Sequence, residues 1–283
     1  LRHKVSYRQH LLLLAMLASA AASAQESPVS VTPSDDRQGT FKAVQGEVTL
    51  VSAEVRRAAV VGGGFSRADR LVTRLSRTSP SSVLDVGCGW GELLLRVLAA
   101  CPAARGVGVD LNEADLSRGR AAAEERGLGD RVLFTRADAS AAELGIADVV
   151  LCVGSSHALG EDLGEALAAL RTLVRPGGRV LLGEGFFCRP PTLVELAAMW
   201  PGASPDDHPS LPDLVDTAVE AGFRPEWIET ATRAEWEDFE SGYLADVEEW
   251  LVANPGHAEA ADTRAKADAH RRQSHRHVQG FPP

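Results

Sequence analysis

Asp85 stands at the end of an apolar run, and three glycines follow at alternate positions, Gly87, Gly89 and Gly91, in VLDVGCGWGELLL. Glycine at such a turn lets the backbone approach a ligand closely and turn tightly into the helix that follows. The spacing is GxGxG, which is neither the GxGxxG of a dinucleotide site nor the GxxxxGK[ST] of a phosphate loop, and no lysine follows to grip a phosphate. On its own this is a weak signal. It strengthens with Asp110, which ends the next apolar run 19 residues after Gly91, about where a carboxylate accepts both hydroxyls of an adenosine ribose. Asp138, closing the run RVLFTRADA, is placed to accept the exocyclic amine of an adenine. Together these residues fit a nucleoside without a pyrophosphate. Asp85 ahead of the glycines suits an ammonium and would repel a diphosphate.

Two further residues offer proton chemistry. His157, in GSSHAL, follows the fourth apolar run and has a side chain whose ordinary pKa suits a general base. Glu184, at the end of the fifth run, is the second candidate for that role. Cys88 lies inside the glycine turn as a small residue, with nothing adjacent in sequence to lower its pKa. The other cysteines, Cys101, Cys152 and Cys188, are scattered, so neither a zinc site nor a disulfide framework is expected. The C-terminal histidines in AHRRQSHRH lack carboxylate or thiol partners at ligand spacing and read as a solvated basic helix end.

These residues need a frame. SVLDVG, GVGVDL, RVLFTRADA, ADVVLCVG and GRVLLGEGFF read as strands, and ELLLRVLAAC, EADLSRGRAAAEERGL and LGEALAALRTLV as helices between them. That alternation predicts an α/β, Rossmann-like, doubly wound sheet of mostly parallel strands, with ligands beyond the strands' carboxyl ends. LPDLVDTAVEAGF adds a helix and RPEWIETAT a sixth strand. The expected organisation is a leader over 1–25, a disordered linker over 26–52 and a helical cap over 53–79. A cofactor-binding core over 80–232 and a helical insertion over 233–283 complete it. In the insertion Trp236, Phe239, Tyr243, Val247 and Trp250 share one helix face. They either pack that helix onto the sheet or, through Tyr243 and Trp250, roof a substrate pocket.

With 283 residues, 45% of them hydrophobic, a sizeable core can be buried. The net charge of −10 speaks against a track for nucleic acid phosphates, so a small molecule or a protein is the expected partner. The first 25 residues combine Arg2, Lys4 and Arg8, a short apolar run and Ala22-Ser23-Ala24, which is an export-signal pattern too short to span a membrane.

In order and spacing from about residue 80 to 187, VLDVGCGWG, VGVDL, RADA, DVVLCVGSSHAL and LVRPGGRVLLGE resemble the class I S-adenosylmethionine-dependent methyltransferases. GEGFF with its following Pro190-Pro191, LPDLVD and EWEDFESGYL extend the likeness to about residue 265, towards a bacterial group of small-molecule type. The resemblance implies methyl transfer from S-adenosylmethionine, the sole cofactor, to a small-molecule acceptor. It implies that Asp85 and the backbone of Gly87 to Gly91, Cys88 among them, hold the methionine portion. By the same likeness Asp110 holds the ribose, Leu111 the adenine face, and Asp138 with Ala139 the adenine edge. The family sheet has seven strands, and because the chain ends in Pro282-Pro283 the last is expected to be missing. A non-catalytic binder of the same cofactor and, further off, an NAD-dependent dehydrogenase remain the alternatives. A cytoplasmic protein is expected because the cofactor is made there. The leader is then a mis-assigned start; if it is genuine, the protein is exported.

Overall fold

In SVLDV, alternate side chains point to opposite faces of a strand, and both faces are apolar except at Asp85, so this segment belongs in the middle of a sheet covered on both sides. The computed structural model, which describes residues 47–48, 67–198, 202–231, 241, 244–245 and 247–279, places it there. The elements in chain order are β1 (Glu47–Val48), α1 (Arg67–Ser76), β2 (Ser82–Val86), α2 (Glu92–Ala100), β3 (Arg105–Asp110) and α3 (Glu113–Glu125). Then follow β4 (Val132–Arg136), β5 (Ala147–Val153), α4 (Leu163–Leu173), β6 (Val174–Gly185), α5 (Leu193–Ala198), α6 (Leu211–Glu220) and α7 (Ala260–Gln279). The sheet order is β1-β6-β5-β2-β3-β4. β2 to β6 run parallel, while β1 pairs antiparallel with the outer edge of β6, Val48 opposite Glu184.

The two faces carry separate cores. Val83, Val149 and Leu151 pack with Leu71, Leu94, Leu95, Leu98 and Leu116 on the face of α1, α2 and α3. Leu84, Val86, Val150 and Cys152 pack with Leu167 and Leu170 of α4 on the other. Each such leucine, fully buried, contributes on the order of 1.5–3 kcal/mol. The alternation that sends Val83 to the first face sends Asp85 there too, which aims its carboxyl at the turn into α2. The Arg131 guanidinium caps α2 by donating to the carbonyls of Leu98, Cys101 and Ala104 at 2.9, 3.1 and 3.2 Å. It thereby ties the end of α2 to the loop that leads into β3.

Two expectations are revised. Residues 224–231 form no strand; only Thr230 has a bridge. The segment is held by side chains instead, with Arg179 donating to both oxygens of Glu226 at 2.8 and 2.9 Å and the Arg74 guanidinium 3.4 Å from the Trp227 ring centre. Pro225 supplies no amide to a ladder, and Glu226 and Trp227 are both exposed, so no face is available to bury. The Pro-Gly-Gly turn, in turn, lies within β6, whose pairing with β5 shifts register between Ala147 and Val149.

By internal contacts the chain divides into two units, residues 39–188 with 209–231, and residues 1–38 with 189–208 and 232–283. In the second unit Val247, Leu251, Ala260 and Ala267 form an apolar cluster against which Trp250 packs. The leader, most of the linker, the start of the cap at 53–66, Trp236, Phe239, Tyr243 and Pro282-Pro283 lie outside the described residues. No described helix is long and apolar enough to cross a membrane.

Candidate functional site

The turn after β2 is folded around β3. Gly87 and Cys88 both donate their amides to the Val109 carbonyl, at 2.8 and 3.0 Å. Gly89 donates to Asp110 Oδ2 at 2.8 Å, and the other oxygen, Oδ1, accepts from the Asn112 amide at 2.9 Å. Ala137 closes the group from β4, donating to the Asp110 carbonyl at 3.1 Å. Asp85, the glycine turn, Asp110 and the strand end that carries Asp138 are thereby brought together at the carboxyl ends of β2, β3 and β4. Leu111 beside them is 63% exposed, a large apolar side chain offered to solvent at the lip of the site.

The turn has two glycines whose side-chain space is taken. Gly87 has φ +66°, and a Cβ there would collide with the Ser155 side chain, whose Oγ would lie 2.8 Å away. Gly91, the N-cap of α2 with φ +76°, meets the Phe134 ring in the same way, with Cζ at 2.6 Å. Gly91 has no side chain with which to cap the first turn of α2.

The electrostatics are one-sided. Burial, reinforced by the charge of Asp110, pushes the Asp85 carboxyl up to about 8, with no lowering partner. Burial and Asp110 likewise raise Asp115, whose Oδ2 accepts from Asn112 Nδ2 at 2.6 Å. Cys88 is raised far above the ordinary thiol range, by burial and by the charges of Asp85, Asp110 and Asp115. A thiol so placed stays protonated and is no nucleophile. Among the described residues the acidic cluster therefore lacks an offsetting cation at Asp85.

On the acceptor side, His157 is half-buried in a short 3-10 turn, Ser156–Ala158, directly after β5. Glu184 sits near the end of β6, and Gly154 donates to the Gly183 carbonyl at 2.8 Å, tying the two strand ends together. Burial raises the Glu184 carboxyl, while the Ser156 hydroxyl and amide and the Gly185 amide hold it down. Its Oε1 is shut off from solvent and has no hydrogen-bond partner among the described residues. Asp138 is exposed, and its Oδ1 accepts from the Ser140 amide and hydroxyl at 2.9 and 2.7 Å, so it also caps its own turn; Ala139 beside it is half-buried. Trp250 packs in the second unit, with the His257 ring edge-on at 5.2 Å. No group of three metal-ligating side chains occurs among the described residues.

Sequence reasoning missed Asp115 and Ser155. Asp115 reads as an ordinary first-turn acid of α3. Ser155 is one of two adjacent serines in GSSHAL, and only the fold shows that it is the buried one.

A doubly wound parallel sheet with a glycine turn after its first parallel strand defines a Rossmann-like α/β protein. Comparison makes this specific. The Methyltransferase domain family matches residues 83–178. The uncharacterized protein YjhP of Escherichia coli is 31% identical over 200 residues, 68% of this chain and 78% of that one. The 27-O-demethylrifamycin SV methyltransferase of Amycolatopsis mediterranei is 31% identical over 132 residues, 46% of this chain and 48% of that protein. A crystal structure of a methyltransferase from Geobacter sulfurreducens in complex with S-adenosyl-L-homocysteine matches with TM-score 0.67 and 27% identity, covering 74% of this chain and 84% of that one. The chain belongs to the class I S-adenosylmethionine-dependent methyltransferases, alongside YjhP. It is an enzyme that takes a methyl group from S-adenosylmethionine.

Proposed function

We propose that the cluster at the ends of β2, β3 and β4 holds S-adenosylmethionine, and that the acceptor is a small molecule presented from the side of β5 and β6. The observation that carries this is the uncompensated acidity around Asp85, which suits a ligand bearing an ammonium and a sulfonium. Asp85 takes the ammonium, and the uncapped first turn of α2 favours the carboxylate of the same zwitterion. Asp110 takes the ribose hydroxyls, Leu111 covers one face of the adenine, and Asp138 with Ala139 meets its edge. The cofactor, when bound, supplies a methyl group already activated on sulfur, so the protein's main contribution is alignment. Where the acceptor atom is oxygen or nitrogen, His157 removes its proton, since Glu184 has one oxygen closed off and the others of its bonds spent on Ser156 and Gly185. The similarity to a methyltransferase acting on a rifamycin supports a small acceptor. The enzyme works in the cytoplasm, where its cofactor is made.

The test is a metabolite panel read by mass for the gain of one methyl group. His157→Gln is expected to lower kcat on the acceptor so found by about 10²–10⁴-fold and to leave the Kd for S-adenosylhomocysteine unchanged. Full turnover by the variant would remove His157 as the base.

A second expectation concerns pH. An acid whose folded pKa lies above its unfolded value holds more protons when folded, between the two values. Asp85, at about 8 against an ordinary 3.8, therefore costs the ligand-free protein stability as pH rises from about 4 through about 8. The slope from this group reaches at most about 1.4 kcal/mol per pH unit. An ammonium beside Asp85 restores the ionised form, so S-adenosylhomocysteine flattens the dependence and its binding releases protons at pH 7. Thermal melts across that range, with and without the ligand, measure both; an unchanged slope in Asp85→Asn would refute the assignment.

A further inference from the structure

The cofactor turn and the acceptor-side turn are joined at one residue. Ser155 is 6% exposed and stands two residues past the end of β5, where the β2–β5 ladder has already stopped at Val86 opposite Cys152. Its hydroxyl donates to the Val86 carbonyl at 2.6 Å, so a side chain beyond β5 ties down the last carbonyl of β2. The same Oγ lies 3.4 Å from Cys152 Sγ, and the Ser155 Cβ fills the space in front of Gly87. Val86 and Gly87 open the turn that folds round Asp110. On the other side, Ser155 is the N-cap residue of the short turn carrying Ser156 and His157, and it accepts the Ala158 amide on its own carbonyl at 2.9 Å.

We infer that Ser155 is a positioning residue for methyl transfer, a strut that fixes the Val86–Gly87 backbone in its cofactor-binding shape and sets the His157 turn against it. It touches neither reactant. The bond to Val86 holds the first peptide of the turn, and the Ser155 side chain leaves no room for a Cβ on Gly87. Loss of the hydroxyl removes this side-chain tie from the mouth of the turn, and the Val86–Gly87 peptide relaxes away from its cofactor-binding shape. Affinity for the cofactor falls, while the core on either side of the sheet is untouched. The inference rests on the assignment of the turn to the cofactor.

The experiment is calorimetric titration of the full chain with S-adenosylhomocysteine, alongside thermal melting, for Ser155→Ala, Ser155→Cys, Cys152→Ala and Asp110→Ala. Ser155→Ala is expected to raise Kd by roughly fivefold or more. Ser155→Cys, which retains a weak donor, is expected to fall between the two. Cys152→Ala, which removes buried bulk touching Ser155 but leaves the bond to Val86, serves as the structural control: it lowers the melting temperature and leaves Kd within twofold of the parent. An unchanged Kd in Ser155→Ala, with Asp110→Ala weakened, overturns the strut. Equal losses of affinity in Ser155→Ala and Cys152→Ala overturn it as well, because they would show a merely structural role. Unchanged affinity in both Ser155→Ala and Asp110→Ala instead overturns the placement of the cofactor. Should Ser155→Ala not fold, Ser155→Cys carries the same comparison.

Discussion

Asp110→Ala is expected to raise the Kd for S-adenosylhomocysteine by about 100-fold or more. The carboxylate has two tasks. Within the protein it accepts the Gly89 amide at 2.8 Å and the Asn112 amide at 2.9 Å, which joins the glycine turn to the N-terminus of α3. Towards the ligand, on the proposed assignment, the remaining lone pairs accept the two ribose hydroxyls. Hydrogen bonds to a charged group contribute about 1.5–3 kcal/mol each, and two of them amount to at least two powers of ten in affinity. The loss of the turn's anchor adds to this. Asp110→Asn keeps one carbonyl acceptor and is expected to lose less. Removal of the charge also relieves Asp85 and Asp115, both of which it raises, so the pH slope of the ligand-free protein becomes shallower in the same variant. Titration calorimetry with a parallel melt measures both effects. A Kd within threefold of the parent would show that the ribose is held elsewhere.

That Asp110 belongs beside the glycines was legible because the relation is local to one βαβ unit. A strand, a turn, a helix and a second parallel strand leave the second strand's last residue next to the turn, whatever the rest of the chain does. That the five runs pair in parallel and that helices cover both faces of the sheet was legible as well, since the runs are apolar on both faces and helical periods separate them. The supposed sixth strand was not, because β propensity in Trp227 and Ile228 counts only if a face is buried, and both are exposed. Nor was β1, a two-residue pairing with the outer edge of β6 in which no periodicity can be read. Asp115 and Ser155 escaped because their importance comes from what the fold sets beside them. An acid in a helix's first turn and a serine after a strand are ordinary in sequence. They matter here because Asp115 adds to an acidic cluster with Asp110, and because Ser155 meets the carbonyl of a strand 69 residues away.

Phe134→Ala gives the largest expected loss of stability, about 3–5 kcal/mol, with the upper half of that range favoured by the geometry. Phe134 is 4% exposed on β4, and three glycines from three separate elements make room for its ring. A Cβ on Gly91 would lie 2.6 Å from Cζ, one on Gly108 2.9 Å from Cδ1, and one on Gly119 2.9 Å from Cζ. In sequence each glycine has another explanation: a turn for Gly91, a strand bend for Gly108, a weak helix position for Gly119. All three also face one aromatic ring wedged between β3, α2 and α3, with the Trp90 carbonyl close to Gly119 and Cys88 Sγ close to Gly108 as well. The cost of a cavity depends on how well its walls collapse, and walls made of glycine have no side chains to move inward. The ring also backs Gly91, the N-cap of α2, so its removal loosens the end of the cofactor turn as well as the core. Phe134→Leu, which fills most of the volume, is expected to cost less than half as much. Urea unfolding followed by far-ultraviolet circular dichroism measures the loss, and S-adenosylhomocysteine should recover part of it by binding only the folded state. A loss below about 1 kcal/mol would mean that the three glycines serve the backbone of their own elements and that the ring fills a space the fold can close without it.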